Sequence, residues 1–478
     1  GCEQARIFNV SANDIELDNL QFINASSKTS GGAIYFNKGA SDIIISNSLF
    51  ENNTVIEYGG AIYHAGKGNI IQISNTVFNN NFAHGGGAVQ FYAASASDAY
   101  DNIDITGCTF TNNNAALNDE WGGSALSINQ ANDVHVLETL FDSNNAKANG
   151  AVLLDYCTDV KFELSNFTNN IAGKSGAAVY IKQRSGTYTT SFTNCLLENN
   201  TASSYGGAIY SGIKGLTIDQ SSFNNNSALS GGAIDSVSND NVIKNSEFKY
   251  NQAASQGGAL WLGGDKSNIT YCNFTNNTAG TSGGALYLLG EGDQITSSNF
   301  TQNNATQGNG GAIMAMGKNT SVSKSSFTSN IAVEGGAIYF TKSIDDVTQC
   351  TFTKNIAKSN GAAIVFEDEF NIYESNFVEN YAYGNGTVCI KSTHDRSDIK
   401  DSTFVKNTAY NGGAIYYGYK SNYNPNLYII DCIFTNNNAT HNGGAVYYIY
   451  ENTMIYRDYD NFDGRGDNSS GRTTVEFK

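Results

Sequence analysis

One pattern decides what this chain can fold into: Phe followed three residues later by Asn, recurring from end to end. The Phe positions are Phe22, Phe50, Phe78, Phe110, Phe141, Phe167, Leu197 (the one substitution), Phe223, Phe248, Phe274, Phe300, Phe327, Phe352, Phe377, Phe404 and Phe434. These sixteen copies lie 25 to 32 residues apart, with Asn at the third position after the Phe in fifteen and Ala at the fifth in fourteen. A second element, Gly-Gly-Ala-Ile-Tyr at residues 31–35 and 206–210, begins eight to ten residues after most of the Phe residues, also in sixteen copies. A period of this size means a solenoid in which each repeat buries its apolar face on the next. Length alone would suggest several domains, but a repeat array is one elongated domain of any length.

The residues select the kind of solenoid. Asn, Gly, Ser, Thr, Ile, Val, Tyr and Phe are strand and turn formers, and the Leu spacing of leucine-rich repeats is absent. About 26 residues at ~3.3 Å each make a coil of three short strands and three turns. The expectation is an all-β, right-handed parallel β-helix of about sixteen coils over residues 1–450, with residues 451–478 a C-terminal tail. Alternation within strands sets the faces. The position after Gly-Gly-Ala is almost always Ile, Val or Leu, the third is mostly apolar, and the second varies widely, so the second points outward. The Phe, the position two before it (Ser, Thr or Cys in fifteen copies) and the apolar position five before it share the interior. The Asn is expected at a turn with left-handed backbone, its side chain in a hydrogen-bonded ladder from coil to coil.

Gly-Gly-Ala-[Ile/Leu/Val] paired with Phe-x-x-Asn resembles the repeat of chlamydial polymorphic outer-membrane proteins. The Asn-Asn-Thr-Ala to Gly-Gly-Ala-Ile-Tyr phrasing at residues 199–210 is similar to adhesin-like surface proteins of methanogenic archaea. The resemblance covers roughly residues 5–450. It implies an extracellular, surface-exposed β-helix that binds cells or polymers. No C-terminal membrane-barrel segment is expected in these residues, a departure from the chlamydial pattern.

Composition narrows the function classes. A net charge of −17 argues against nucleic acid and against a polybasic membrane dock, and no window approaches 18 continuous apolar residues, so no membrane span is expected. Gly1-Cys2-Glu3-Gln4 has no signal-peptide character, which reads as a processed form or a piece of a longer chain. Cys108, Cys195, Cys272, Cys350 and Cys432 occupy the small interior slot three coils apart, too far for disulfides, and are expected as buried free thiols. Cys389 falls in the outward slot and is expected to face solvent. No Cys or His spacing suggests a metal, and no cofactor is expected.

The remaining features bear on partners, which are expected to be glycans or cell-surface polymers. The outward slot is aromatic in nine coils: Tyr35, Tyr63, Tyr180, Tyr210, Trp261, Tyr287, Tyr339, Tyr416 and Tyr447. Such a stripe is either stacking between coils or a platform for sugars. Fifteen Asn-x-Ser/Thr sequons occur, of which Asn52, Asn166, Asn199, Asn225, Asn276, Asn304 and Asn438 are the glycosylation candidates. Arg465-Gly466-Asp467 matches a cell-attachment tripeptide. The insertions at residues 93–101, 117–121 and 420–426 are candidate ligand-facing loops. The strand-like end of the tail is a candidate for strand addition to a neighbouring subunit and self-assembly through the termini. The reading is a non-enzymatic adhesin-like or envelope-structural module. The alternative is a polysaccharide lyase or glycoside hydrolase on the same scaffold, which would need carboxylates with Arg or Lys in a groove over adjacent coils. The acidic runs Asp119-Glu120, Asp345-Asp346 and Glu367-Asp368-Glu369 lie many coils apart and read as solvated turns.

Overall fold

The computed structural model describes residues 6–68, 70–116, 122–182, 186, 188–391, 396–418, 426–448 and 462–463. Its contacts group into two compact units, Gly1–Val242 and Ile243–Lys478. Each carries eight of the sixteen Phe-position copies.

Within each unit the strands pair only with their counterparts one repeat away, in parallel and in register. In the first unit Ile34–Phe36 pairs with Ile62–His64, and that strand with Val89–Tyr92. In the second, Leu260–Leu262 pairs with Leu286–Leu288 and that with Ile313–Ala315. The described residues hold no α-helix; the one helical element is a 3-10 turn at Ala96–Asp98. Each coil has four strands rather than the expected three. The repeat Asn277-Thr278-Ala279 shows why. The Asn closes one corner, and Thr278–Ala279 forms a two-residue strand that pairs with Asn304–Ala305 before the Gly-Gly corner.

The interior follows the expected faces. The Phe residues are 0–3% exposed and stack nearly parallel, with centroids 4.8 Å apart from Phe274 to Phe300 and from Phe300 to Phe327. This is the strand repeat itself, ~4.8 Å, expressed as a column of offset rings. Leu197 fits the column because Phe162 and Phe192, the positions five before Phe167 and Leu197, supply rings of their own, stacked at 4.7 Å.

The Asn ladder is present, with its turn chemistry different from the expected one. The ladder Asn residues are buried, and Nδ2 of one donates to the Asn Oδ1 of the next coil, as from Asn277 to Asn303 and from Asn303 to Asn330, both at 3.0 Å. Nδ2 also donates to the carbonyl of the preceding coil's Phe, at 2.9 Å from Asn303 to Phe274. The left-handed residue is the one before it: Asn52, Asn276, Ser329, Lys354 and Glu379 all have φ between 54° and 57°. The ladder position therefore demands Asn for its amide, and the exposed residue before it accepts Asn, Ser, Lys or Glu.

The glycine pair has two separate causes. Gly257 has φ +66°, and a Cβ on Gly258 would come within 2.0 Å of the Gly284 carbonyl oxygen in the next coil. The first glycine supplies backbone conformation, and the second permits close approach of coils.

The small interior slot predicts a contrast. Phe274→Ala opens a cavity in a 0%-exposed column and is expected to cost about 3–5 kcal/mol. Cys272→Ser should cost less than about 1.5 kcal/mol, because Cys272 Sγ bonds the Thr270 carbonyl just as Ser298 Oγ bonds that of Thr296. Equilibrium unfolding of the two variants checks the order.

Candidate functional site

The outward row beside the Gly-Gly-Ala corner is where side chains on successive coils come together outside the core. In the first unit Tyr35 and Tyr63 stack at 5.3 Å, and Tyr180 and Tyr210 at 5.1 Å with an 11° interplanar angle. All four are partly exposed. In the second unit Trp261 and Tyr287 lie parallel at 6.4 Å. From there the row closes over: Tyr287, Met314, Tyr339, Val365 and Cys389 form an apolar cluster outside the coil, with Trp261, Met316 and Tyr416 packed against it. The sequence stripe therefore divides. Tyr180, Tyr210 and Trp261 keep accessible faces. Tyr287 and Tyr339, at 8% and 3% exposure, are packing residues, as stacking between coils would make them. Cys389 is buried too, contrary to the solvent-facing position expected, because Val365 and Tyr416 are its neighbours in the row; burial pushes its thiol up to about 12.

A polar cluster caps this row. Lys391 Nζ lies 2.6 Å from Glu334 Oε2, 2.9 Å from the Tyr339 hydroxyl and 3.8 Å from Glu367 Oε1. Tyr339 donates its hydroxyl to Glu367, and Asn360 donates to Glu334 Oε1 at 2.7 Å. Burial alone would pull the Lys391 pKa down; Glu334 and Tyr339 more than reverse it and hold the ammonium above the usual lysine range. Burial, with the bond to Glu367, also raises the Tyr339 phenol. Beside the cluster opens a cavity of about 500 Å³ lined by Asn360, Glu367, Asn385, Cys389, Lys391 and Tyr416. Glu334 and Lys391 were invisible to motif reading. Neither belongs to an acidic run, and only the coil stacking brings them to Glu367.

The model for the right-handed β-helix region matches residues 150–288 and 233–409, more than half of the chain. The chain belongs to the right-handed β-helix family. The repeat of the Chlamydia polymorphic membrane protein matches this β-helix at residues 47–65, 401–418 and 431–448. No curated protein and no solved structure matches it.

Other expected sites of the β-helix fall as follows. Asn52, Asn166, Asn199, Asn225 and Asn438 are exposed, and Asn276 and Asn304 are partly so. In the Asn-Asn-Thr/Ser turns the sequon Asn is the left-handed residue, while its neighbour, Asn53, Asn200, Asn226 or Asn277, is fully buried in the ladder. Cys108, Cys195, Cys272 and Cys350 are buried free thiols and Cys432 is a partly buried one. The insertion at residues 93–101 is partly drawn inward. Tyr100 is 0% exposed and bonds His64, and Asp98 pairs with Lys38 at 2.8 Å. Asp345 is fully buried and Glu367 joins the Lys391 cluster, so neither is the solvated turn residue expected. The insertion at 117–121 with Asp119 and Glu120, the segment 419–425, Arg465-Gly466-Asp467 and the rest of the tail other than Phe462–Asp463 lie outside the described residues. Among the described residues no helix is long and apolar enough to cross a membrane, and no three His, Cys, Asp or Glu side chains are placed to hold a metal.

Proposed function

We propose that this β-helix is a surface-exposed, non-enzymatic module that binds extracellular glycans through the accessible rings of its outward row. The observation that carries the reading is the Tyr180–Tyr210 pair, two parallel, partly exposed rings one coil apart. Coils repeat every ~4.8 Å, about the advance of one ring in an extended pyranose chain, so two successive units of a glycan along the row reach Tyr180 and Tyr210. Trp261 offers a comparable face in the second unit. The match to a membrane-protein repeat of Chlamydia supports placement at a cell surface. Binding of the intact chain to immobilised surface polysaccharides is expected to weaken about tenfold or more in Tyr210→Ala; undiminished binding in both Tyr210→Ala and Trp261→Ala would overturn it. If the natural host glycosylates Asn, the exposed turn sequons Asn52, Asn199 and Asn225 are expected to carry glycan, and a bare intact mass for natively produced protein would refute that.

The second reading, a polysaccharide-cleaving enzyme, rests on Glu334, Glu367 and Lys391 on neighbouring coils beside a cavity. There the two carboxylates share one ammonium and the Tyr339 hydroxyl is buried, an arrangement that clamps the apolar row. New reducing ends or unsaturated sugars released from a polysaccharide panel, and lost in Glu367→Gln, would favour the enzyme instead.

A further inference from the structure

The first unit holds a cavity of about 230 Å³ lined by Tyr58, Tyr63, Gln90 and Tyr92. Its parts come from two coils. Tyr63 and Gln90 are paired in register on neighbouring strands and form the floor. Tyr58 stands on the corner before Gly59, and Tyr92 ends the strand Val89–Tyr92, so phenol rings flank the floor at both ends. Gln90 is 2% exposed, and its Oε1 has no hydrogen-bond partner among the described residues. A Cβ at Gly86 would come within 2.7 Å of that Oε1, so the glycine corner is what lets the carboxamide fold back under the rings. A second cavity, of about 570 Å³, shares Tyr58 and Tyr63 as walls and adds Arg6, Asn9, Tyr35, Asn37 and Glu57, with the Arg6 guanidinium 4.8 Å over the Tyr35 ring. There Asn37 donates to Asn9 Oδ1 at 2.7 Å.

We propose that the Tyr58–Tyr63–Gln90–Tyr92 cavity is a binding site for one uncharged hexopyranose ring of an oligosaccharide whose next unit lies in the cavity of Asn9 and Asn37. The proposal rests on the glycan reading above and assigns it a place and a ligand class. Three phenol rings and one carboxamide suit a molecule that is apolar on its C–H faces and rich in hydroxyls at its edge. A buried acceptor without a partner is costly; a side-chain rotation that brings the carboxamide from Gly86 toward the rings lets a sugar hydroxyl donate to it. Among the described residues the first cavity has no cationic side chain to receive a carboxylate or phosphate, and in the second the charge of Arg6 is offset by Glu57.

The test uses the full chain with a panel of neutral methyl hexopyranosides, their β-linked tetramers and the matching uronate tetramers, read by calorimetry. A neutral tetramer is expected to bind more tightly than its monomer and than the uronate. Tyr58→Ala and Tyr92→Ala should each weaken it about tenfold or more, while Tyr271→Ala, at an exposed ring outside the outward row, leaves it unchanged. As a readout independent of variant folding, a diazirine-bearing neutral tetramer on the unaltered chain should label peptides spanning residues 58–63 and 90–92. Binding undiminished by both tyrosine changes, or no label on those peptides, would overturn this site and leave the glycan reading standing. Tighter binding of the uronate would overturn the ligand class. Absence of binding to every glycan, on the panel and on immobilised surface polysaccharides, would overturn both.

Discussion

Asn303→Ala is expected to cost about 5 kcal/mol or more, the largest loss of any single side chain in the second unit. Asn303 Oδ1 accepts from the backbone N–H and the Nδ2 of Asn277, both at 3.0 Å. Its Nδ2 donates to the Phe274 carbonyl and to Asn330 Oδ1. Alanine removes the middle rung: the Asn277 N–H loses its acceptor, and Asn277 Nδ2, Asn330 Oδ1 and the Phe274 carbonyl each lose one bond in a dry corner, Nδ2 keeping the Phe248 carbonyl and Oδ1 the residue-303 N–H. Each buried group without a partner costs about 1–3 kcal/mol, and their proximity prevents water from serving them all. Asn303→Asp is no remedy, since a carboxylate would set its second oxygen against the Phe274 carbonyl. The control is the adjacent Gln302→Ala, a change at an exposed left-handed residue that should stay within about 0.5 kcal/mol. Denaturant unfolding, with hydrogen exchange mapped over residues 270–330, distinguishes the two. Equal losses for Asn303→Ala and Gln302→Ala would mean that the ladder does not hold the corner.

How far the sequence reached follows from what a period can encode. Phe and Asn recur at fixed positions, so stacking identical positions gave the Phe column, the amide ladder and the small Cys/Ser slot before any coordinates. The match is physical: each of these contacts joins a residue to its own copy one coil away. Contacts between different positions were not legible. Glu334 lies on a corner, whereas Glu367 and Lys391 hold one repeat position, just after strands of the Gly-Gly-Ala sheet on successive coils, where the residue type is not part of the motif. The outward row was read correctly as outward. Its burial at Tyr287 and Tyr339 depends on neighbours such as Met316 that are not part of the motif. Tyr58 and Tyr92 escaped for the same reason, since each flanks the row without belonging to it. Asp345 was misread because its chemistry depends on the slot. It begins the strand Asp345–Thr348 facing inward, at the register position that Thr320 occupies one coil earlier and Phe370 one coil later.

That slot leads to the other large effect, a loss of stability in the second unit as pH rises. Asp293 and Asp345 are both 0% exposed. Each takes one backbone N–H on Oδ1, from Ser267 and Thr320 at 2.8 Å, and neither Oδ2 has a partner among the described residues. Burial pushes the Asp293 carboxyl up to about 7 and that of Asp345, with Asp346 and Asp368 nearby, up to about 9. An unfolded Asp titrates near ~3.9. Between that value and the folded pKa the native chain holds a proton that the unfolded chain has released, so stability falls as pH rises, by about 1.4 kcal/mol per unit for each group. The decline should begin near pH 4, lessen above about 7 when Asp293 has ionised, and level off above about 9, for a total of several kcal/mol. His64 in the first unit works in the opposite sense. Its Nε2–H donates to the Ala40 carbonyl, and Nδ1 accepts from Gly66 N–H, which fixes a neutral tautomer. Burial lowers its pKa to about 4, so its contribution is complete above pH 6.5 and is lost as pH falls toward 4. Hydrogen exchange followed by mass spectrometry from pH 5 to 9, corrected for intrinsic rates, separates the two. Residues 293–372 should lose protection toward alkali, and residues 62–100 toward acid. Asp345→Asn keeps the carbonyl acceptor for Thr320 N–H and replaces an ionisable oxygen with an amide. It should match the parent near pH 4, exceed it by several kcal/mol at pH 9 and flatten the alkaline slope. An unaltered slope in Asp345→Asn would show that Asp345 is already ionised in the fold and that its second oxygen is satisfied.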